Sequence, residues 1–321
     1  MENNVRGIHH VTAITGEPQP NIDFYVGVLG LRFVKKTVNF DVPDTYHLYY
    51  GDDLGRPGTA LTFFSWPGIP KGKRGTGQVS TIAFSVLENS LDYWRQRLSQ
   101  HGVETVEPSK RFDELVLAFD DPDGLPLELV AHASAEQGTY WRKGPVPAQY
   151  AIRGFHSVTL SVARFASTER MLTEMLGFQK LGSEGKRTRY QAGDDGSGHV
   201  VDVLDQPEVP RGAESIGSVH HVAFRTASDD EQLEWRQKLT ARGANVTPVM
   251  DRCYFHSIYF REPSGVLFEI ATEPPGFTID ESIEELGTQL KLPPWLERER
   301  DLIERGLPPV HLPDVSAAPE K

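Results

Sequence analysis

A strand, a helix and then further strands recur four times along this chain of 321 residues. Such repetition predicts copies of one supersecondary unit, none of which can bury its own sheet and helix alone. The first copy opens on a strand over 7–15, where Ile8, His10 and Thr12 alternate with His9, Val11 and Ala13. A Gly-Glu-Pro break follows, then helical spacing over 21–29 with Asn21 as N-cap and Gly30 as the stop. Strands over 31–40, 46–51 and 59–66 complete the unit. The second copy places a strand over 79–86, a helix over 90–101, and strands over 111–119 and 126–131. The third starts at Gly154, has its helix over 166–176 before Gly177, and reaches a strand over 200–204. The fourth starts at Ser218, has its helix over 229–242 before Gly243, and ends at Ala271.

The expected fold is therefore α+β: four βαβββ modules pairing into two curved-sheet barrels, with a C-terminal tail. Residues 1–140 and 141–272 would each hold two modules, joined through linker-like stretches at 134–138 and 145–149. The tail over 273–321 lies outside the modules, with helices expected over 283–290 and 295–305 and a loose end over 308–321. Trp295 would dock the tail on a module or on a neighbouring subunit, which leaves a homo-oligomer open.

Pairing of modules sets the first and last strand of each beside one another around a cleft. The inward slot of the first strands holds His10, Thr81, Ser157 and His221. The slot of the last strands, four residues after a glycine, holds Thr62, Glu128, Asp202 and Glu269. Modules 1 and 4 thus supply two histidines and a carboxylate, the donor set of a metal site formed by His10, His221 and Glu269. Modules 2 and 3 supply no histidine to that slot, so one cleft is expected to bind a transition metal and the other is not. A hydrophobic run around Glu269, with Leu267 and Phe268 beside it, implies burial, and a buried carboxylate needs a partner or a metal.

Bulk properties limit the partners. A net charge of −12 argues against nucleic acid, whose phosphates need lysine and arginine. No apolar run approaches a membrane span, and the polar start is unlike a signal peptide. The single cysteine, Cys253, excludes an internal disulfide and a cysteine-built zinc site. It fits a reducing cytoplasm, where ferrous iron persists.

The chain resembles the vicinal oxygen chelate superfamily (glyoxalase, bleomycin resistance and extradiol dioxygenase proteins), and within it the bacterial hydroquinone ring-cleaving dioxygenases. The resemblance runs nearly end to end. It rests on Ile8-His9-His10, Tyr46-His47-Leu48-Tyr49, Gly154-Phe155-His156-Ser157, Val219-His220-His221 and the tail segments Pro275–Glu281 and Pro293–Leu296. It implies Fe(II) held by His10, His221 and Glu269, a small aromatic substrate, and insertion of both atoms of O2. It also implies supporting roles for Thr12, His220, Arg252 and Tyr259. His220 would give acid–base help from a near-neutral imidazole, although alternation points it away from the face of His221. Arg252 and Tyr259 would stabilise substrate oxygens, and Thr12 would contact substrate. His9, Tyr46 and His47, with Tyr49, are further candidates for the pocket wall. Thr62 in the fourth slot is a poor ligand, which favours the dioxygenase over a glyoxalase-like isomerase or lyase with four protein ligands. A catechol extradiol dioxygenase is the nearer alternative, and a quinone-binding protein with a vestigial site the more distant one.

Overall fold

In the computed structural model, which describes residues 4–193 and 198–315, the opening strand of each module takes the centre of a sheet. These strands are β1 (Ile8–Thr15), β5 (Gln78–Val86), β9 (Phe155–Val162) and β13 (Ser218–Thr226). Every residue of β1 and of β9 is buried, as expected for strands covered on both faces. Module 1 continues with β2 (Arg32–Asn39), β3 (Val42–Gly51) and β4 (Ala60–Ser65). Module 2 adds β6 (Ser109–Arg111), β7 (Glu114–Asp120) and β8 (Pro126–Ala131). Module 3 adds β10 (Gln179–Glu184), β11 (Arg187–Gln191) and β12 (Val200–Asp205). Module 4 adds β14 (Met250–Asp251), β15 (His256–Arg261) and β16 (Leu267–Thr272).

Two curled eight-stranded sheets result, ordered β14-β15-β16-β13-β1-β4-β3-β2 and β10-β11-β12-β9-β5-β8-β7-β6. Module 1 joins module 4, and module 2 joins module 3. The stretches 1–140 and 141–272 each contribute one module to each sheet. Opening strands meet antiparallel at both sheet centres, and each runs parallel to the last strand of its own module.

All four opening strands carry a β-bulge at the same place. The pairing of β1 with β13 skips His9 on one strand and His220 on the other. The pairing of β5 with β9 skips Ser80 and His156. Each skipped residue directly precedes an inward slot. A bulge leaves that residue unpaired and sharpens the local twist, so strict alternation fails there.

The helices cover the outer faces. The first begins earlier than expected: α1 (Pro18–Ile22) has proline in its first turn and continues as a π-turn over Asp23–Val28. Asn21 is therefore inside the helix, not its N-cap, and its Oδ1 accepts a 2.7 Å hydrogen bond from the Tyr50 hydroxyl. Module 3 does the same, with α3 (Phe165–Arg170) running into a π-turn over Met171–Met175. The other two are regular: α2 (Leu91–Gln100), and α4 (Asp229–Ala241) capped by the Ser228 side chain. Gly30, Gly102, Gly177 and Gly243 all stop their helices with φ of +70° to +85°. The single strand expected over 111–119 is instead a hairpin, because Phe112 and Asp113 take positive φ and turn β6 into β7.

The tail departs most from expectation. Residues 283–290 form turns in place of a helix, and only Arg300–Gly306 (α5) is α-helical. The tail is anchored by Asp280 and Glu281, whose carboxylates bracket the fully buried Lys35 ammonium. Trp295 meets Phe40 edge-on at 5.8 Å, at the tip of the β2–β3 hairpin. Residues 308–311 are tied down, not loose: Pro308 O accepts from the Tyr46 hydroxyl, and His311 exchanges two hydrogen bonds with Gln19. Residues 316–321 of the stretch expected to be loose lie outside the described residues. No helix among the described residues is long and apolar enough to cross a membrane.

Candidate metal centre

The four modules use one register. In each, the residue two past the opening-strand slot faces the last-strand slot: Thr12 opposite Thr62, Ala83 opposite Glu128, Thr159 opposite Asp202, and Ala223 opposite Glu269. In the sheet of modules 1 and 4 this brings His10, His221 and Glu269 together. Each offers a ligand atom within 4.8 Å of the others, and all three are buried. His221 Nε2 lies 2.9 Å and His10 Nε2 3.4 Å from Glu269 Oε2, and the two Nε2 atoms are 3.2 Å apart.

The surroundings of this triad suit a divalent cation. Behind His10, its Nδ1 is 2.9 Å from His9 Nδ1; behind His221, its Nδ1 is 2.7 Å from His220 Nδ1. When each inner imidazole donates Nδ1–H to the histidine before it, both Nε2 lone pairs point at the carboxylate. Two lone pairs and a fully buried carboxylate then repel one another unless a cation lies among them. Glu269 Oε2 makes no hydrogen bond, whereas Oε1 accepts one from Ser257. Burial alone would raise the Glu269 carboxyl. Positive charge and N–H donation from His10 and His221, when they carry the proton on the facing nitrogen, outweigh burial and hold the carboxyl well below the usual carboxylate range, as a cation in the same place would. Burial also pushes His221 down, toward the neutral imidazole that a metal takes.

A cavity of about 310 Å³ opens in front of the triad, with His10 and His221 in its wall. His220 lines it too, because the bulge turns its ring inward against Phe64, 5.4 Å away edge-on. The near-neutral imidazole expected of His220 is not found: burial, then His221, push it down to about 3. Arg252 and Tyr259 share the wall. Arg252 Nε donates to the Tyr259 hydroxyl at 3.3 Å, and its Nη2 donates to Asp41 across the β2–β3 hairpin at 3.0 Å. The Tyr259 phenol is pushed up by burial and by Glu269, so it stays protonated.

Three of the expected substrate contacts sit elsewhere. His9 is behind His10, against Phe255, and is not in the cavity wall. Thr12 is fully buried and bonds Thr62 at 2.7 Å. Tyr46 faces the other side of β3, where its hydroxyl meets Pro308, because alternation from the cavity-lining His47 and Tyr49 carries it there. Sequence reading missed Ser257, Phe255 and Asp41. Ser257 reaches Glu269 only through the pairing of β15 with β16, and Phe255 and Asp41 carry no motif.

In the matching cleft of modules 2 and 3 arginines bind the acids. Arg111 grips Glu128 with both terminal nitrogens. Arg189 does the same to Asp202 through Nε and Nη2, at 2.8 and 3.1 Å, and reaches Glu114 with Nη1. Arg187 bonds Asp202 and Thr159, and His156 lies 2.9 Å from Glu114.

The chain also matches known proteins over most of its length. The model of the family described as "Glyoxalase/Bleomycin resistance protein/Dioxygenase superfamily" matches residues 7–129 and 154–270. The chain is 44% identical to the "Putative ring-cleaving dioxygenase MhqO" of Bacillus subtilis over 98% of its own length and 100% of that protein's. It is 37% identical to the "Chlorohydroquinone/hydroquinone 1,2-dioxygenase" of Sphingobium indicum, covering 96% of this chain and 97% of that one. The crystal structure of a Bacillus subtilis protein described as a "putative dioxygenase" superimposes with a TM-score of 0.93 at 44% identity, over 97% of this chain and 99% of that one. Maize glyoxalase I shares the fold alone, at a TM-score of 0.62 and 15% identity over 83% of this chain and 92% of that one.

Proposed function

The chain belongs to the glyoxalase/bleomycin resistance protein/dioxygenase superfamily, and from that premise we propose that it is an Fe(II)-dependent ring-cleaving dioxygenase acting on hydroquinone or a substituted hydroquinone. The observation that carries this reading is the buried His10–His221–Glu269 set with only a threonine, Thr62, in the fourth slot. Two neutral imidazoles and one carboxylate are the donors of non-haem iron(II) oxygenases that keep positions open for substrate and oxygen. His10, His221 and Glu269 would hold the ion, which when bound supplies a redox-active Lewis acid where an aromatic hydroxyl and O2 meet.

The rest of the chemistry belongs to side chains. His9 and His220 fix the two inner imidazoles from behind, and Ser257 fixes the carboxylate. The Arg252 guanidinium puts a permanent positive charge in the cavity wall, which favours an ionised substrate oxygen. Tyr259, protonated and held by Arg252, can donate to the same oxygen. Phe40, Phe64, Trp66 and Phe255 give aromatic walls that suit a flat ring and exclude water. The single cysteine supports a reducing, cytoplasmic setting.

A glyoxalase-like isomerase is the weaker reading, since the Thr62 hydroxyl is engaged by His47 and Thr12. Oxygen uptake by the anaerobically iron-loaded protein decides among the readings. Consumption of O2 with hydroquinones is expected, with both atoms retained in a ring-opened product. Consumption with catechols alone would assign it to extradiol cleavage. No uptake with either class would overturn the proposal.

A further inference from the structure

From one wall of the cavity a series of hydrogen bonds that no metal ligand takes part in runs back into the sheet. The Tyr49 hydroxyl is 2.8 Å from His47 Nδ1, His47 Nε2 is 2.9 Å from Thr62 Oγ1, and Thr62 Oγ1 is 2.7 Å from Thr12 Oγ1. The fold imposes this arrangement. His47 and Tyr49 alternate onto one face of β3, and Tyr49 pairs directly with Thr62 on β4. Phe277 packs against the Tyr49 ring at 5.1 Å and fixes it from behind. Tyr49 and His47 line the same cavity as His10 and His221.

We propose that Tyr49, positioned by His47 and Thr62, is the specificity-determining contact for the second ring oxygen of the substrate, the one that does not go to the metal set. The assignment rests on reading the site as one that takes a hydroquinone. A dry cavity of about 150 Å³ accepts a benzene ring, so the space here fits a single substituted ring. A hydroquinone with one oxygen at His10, His221 and Glu269 must bury its other oxygen within the same walls. A buried hydroxyl without a partner costs roughly 1–3 kcal/mol.

Tyr49 is suited to that oxygen because it can offer either polarity. Burial keeps His47 a neutral imidazole, with one N–H to place. With the proton on Nδ1, His47 donates to the Tyr49 oxygen, and the phenol proton is free to donate to a ring oxygen that has lost its own. With the proton on Nε2, His47 donates to Thr62, Tyr49 donates to His47, and the Tyr49 oxygen accepts from a ring hydroxyl. Neither arrangement changes the net charge of the wall. The Thr62 and Thr12 hydroxyls rotate to match, so the whole series follows the protonation state of the ligand.

Anaerobic titration of the iron-loaded protein with hydroquinone and with phenol, which lacks the second oxygen, measures the contact. The wild-type protein should bind hydroquinone about 10–100-fold more tightly than phenol. Tyr49→Phe should bring that ratio within about threefold while leaving iron content and phenol affinity unchanged. Thr62→Val and His47→Ala should lower the ratio partly, and His47→Gln should restore some of what His47→Ala loses. A ratio in Tyr49→Phe equal to that of the wild type overturns the assignment, as does a drop shared equally by hydroquinone and phenol. If Tyr49→Phe does not fold, an unchanged ratio in Thr62→Val overturns it in the same way. The functional reading fails separately, when the wild-type protein consumes no oxygen with hydroquinone.

Discussion

The inward slots of one sheet hold His10, Thr62, His221 and Glu269; those of the other hold Thr81, Glu128, Ser157 and Asp202. Strand order, register and bulge position are the same in both. The difference is in what neutralises the acids. Asp202 is as fully buried as Glu269, yet Arg187 and Arg189 bind it, while Glu128 is gripped by Arg111. A carboxylate withdrawn from water needs a positive partner. One cleft supplies that charge covalently, as guanidinium. The other sets two imidazoles against Glu269, while its arginine, Arg252, is engaged by Tyr259 and Asp41, so an ion would have to bring the charge to the carboxylate. A metal site in this scaffold would thus be defined as much by the lack of an arginine on its carboxylate as by the ligands themselves.

The comparison can be broken most severely at Glu269. Glu269→Gln should lower iron affinity more than about 100-fold, beyond the usual effect of a residue that merely supports a ligand. Metal analysis after anaerobic loading checks it, and full retention of iron would end the assignment. In the other cleft the damage should fall on stability instead. Arg189→Met strips Asp202 of its two-pronged partner and should cost about 3 kcal/mol in urea unfolding, with iron content unchanged.

A smaller effect should appear in acid. Burial raises the Glu114 carboxyl, but His156 and Arg189 outweigh burial and bring it from 4.5 down to about 2. A folded-state value below the unfolded one means stability is present above pH 4.5 and is lost as the pH falls toward 2. Solvent screening of the partly exposed Glu114 brings the loss to about 2 kcal/mol, and Glu114→Gln should flatten the unfolding profile over that window. The smallest effect is no change at all. Thr81→His combined with Ser157→His copies the histidine slots into the second cleft, yet should add no iron, because Arg111, Arg187 and Arg189 already neutralise its acids.

Much of this contrast is legible in the chain itself. The slots follow from alternation and from the glycine four residues before each last-strand slot, both of which are local signals. His10, His221 and Glu269 can therefore be aligned from the sequence alone. What stays hidden depends on register between strands distant in sequence. Alternation alone turns His220 away from His221, and only the bulge opposite Thr12 and Ala13 explains why it lines the cavity. The arginines of the second cleft sit on β6 and β11, and nothing local says that their side chains cross to Glu128 and Asp202. Tyr46 is different, since its alternation with His47 and Tyr49 already separates it from the pocket wall. The Asn21 cap and the 283–290 helix fail for ordinary reasons: Pro18 begins the first helix early, and Glu281 and Lys35 hold the tail by ion pairing without helical structure.

The most direct measurement is the number of iron atoms kept per chain after anaerobic loading and desalting. One is expected in the wild-type protein, falling to none in Glu269→Gln. Two per chain, or one that survives the loss of Glu269, would contradict the division of the molecule into one cleft that awaits a cation and one that has supplied its own.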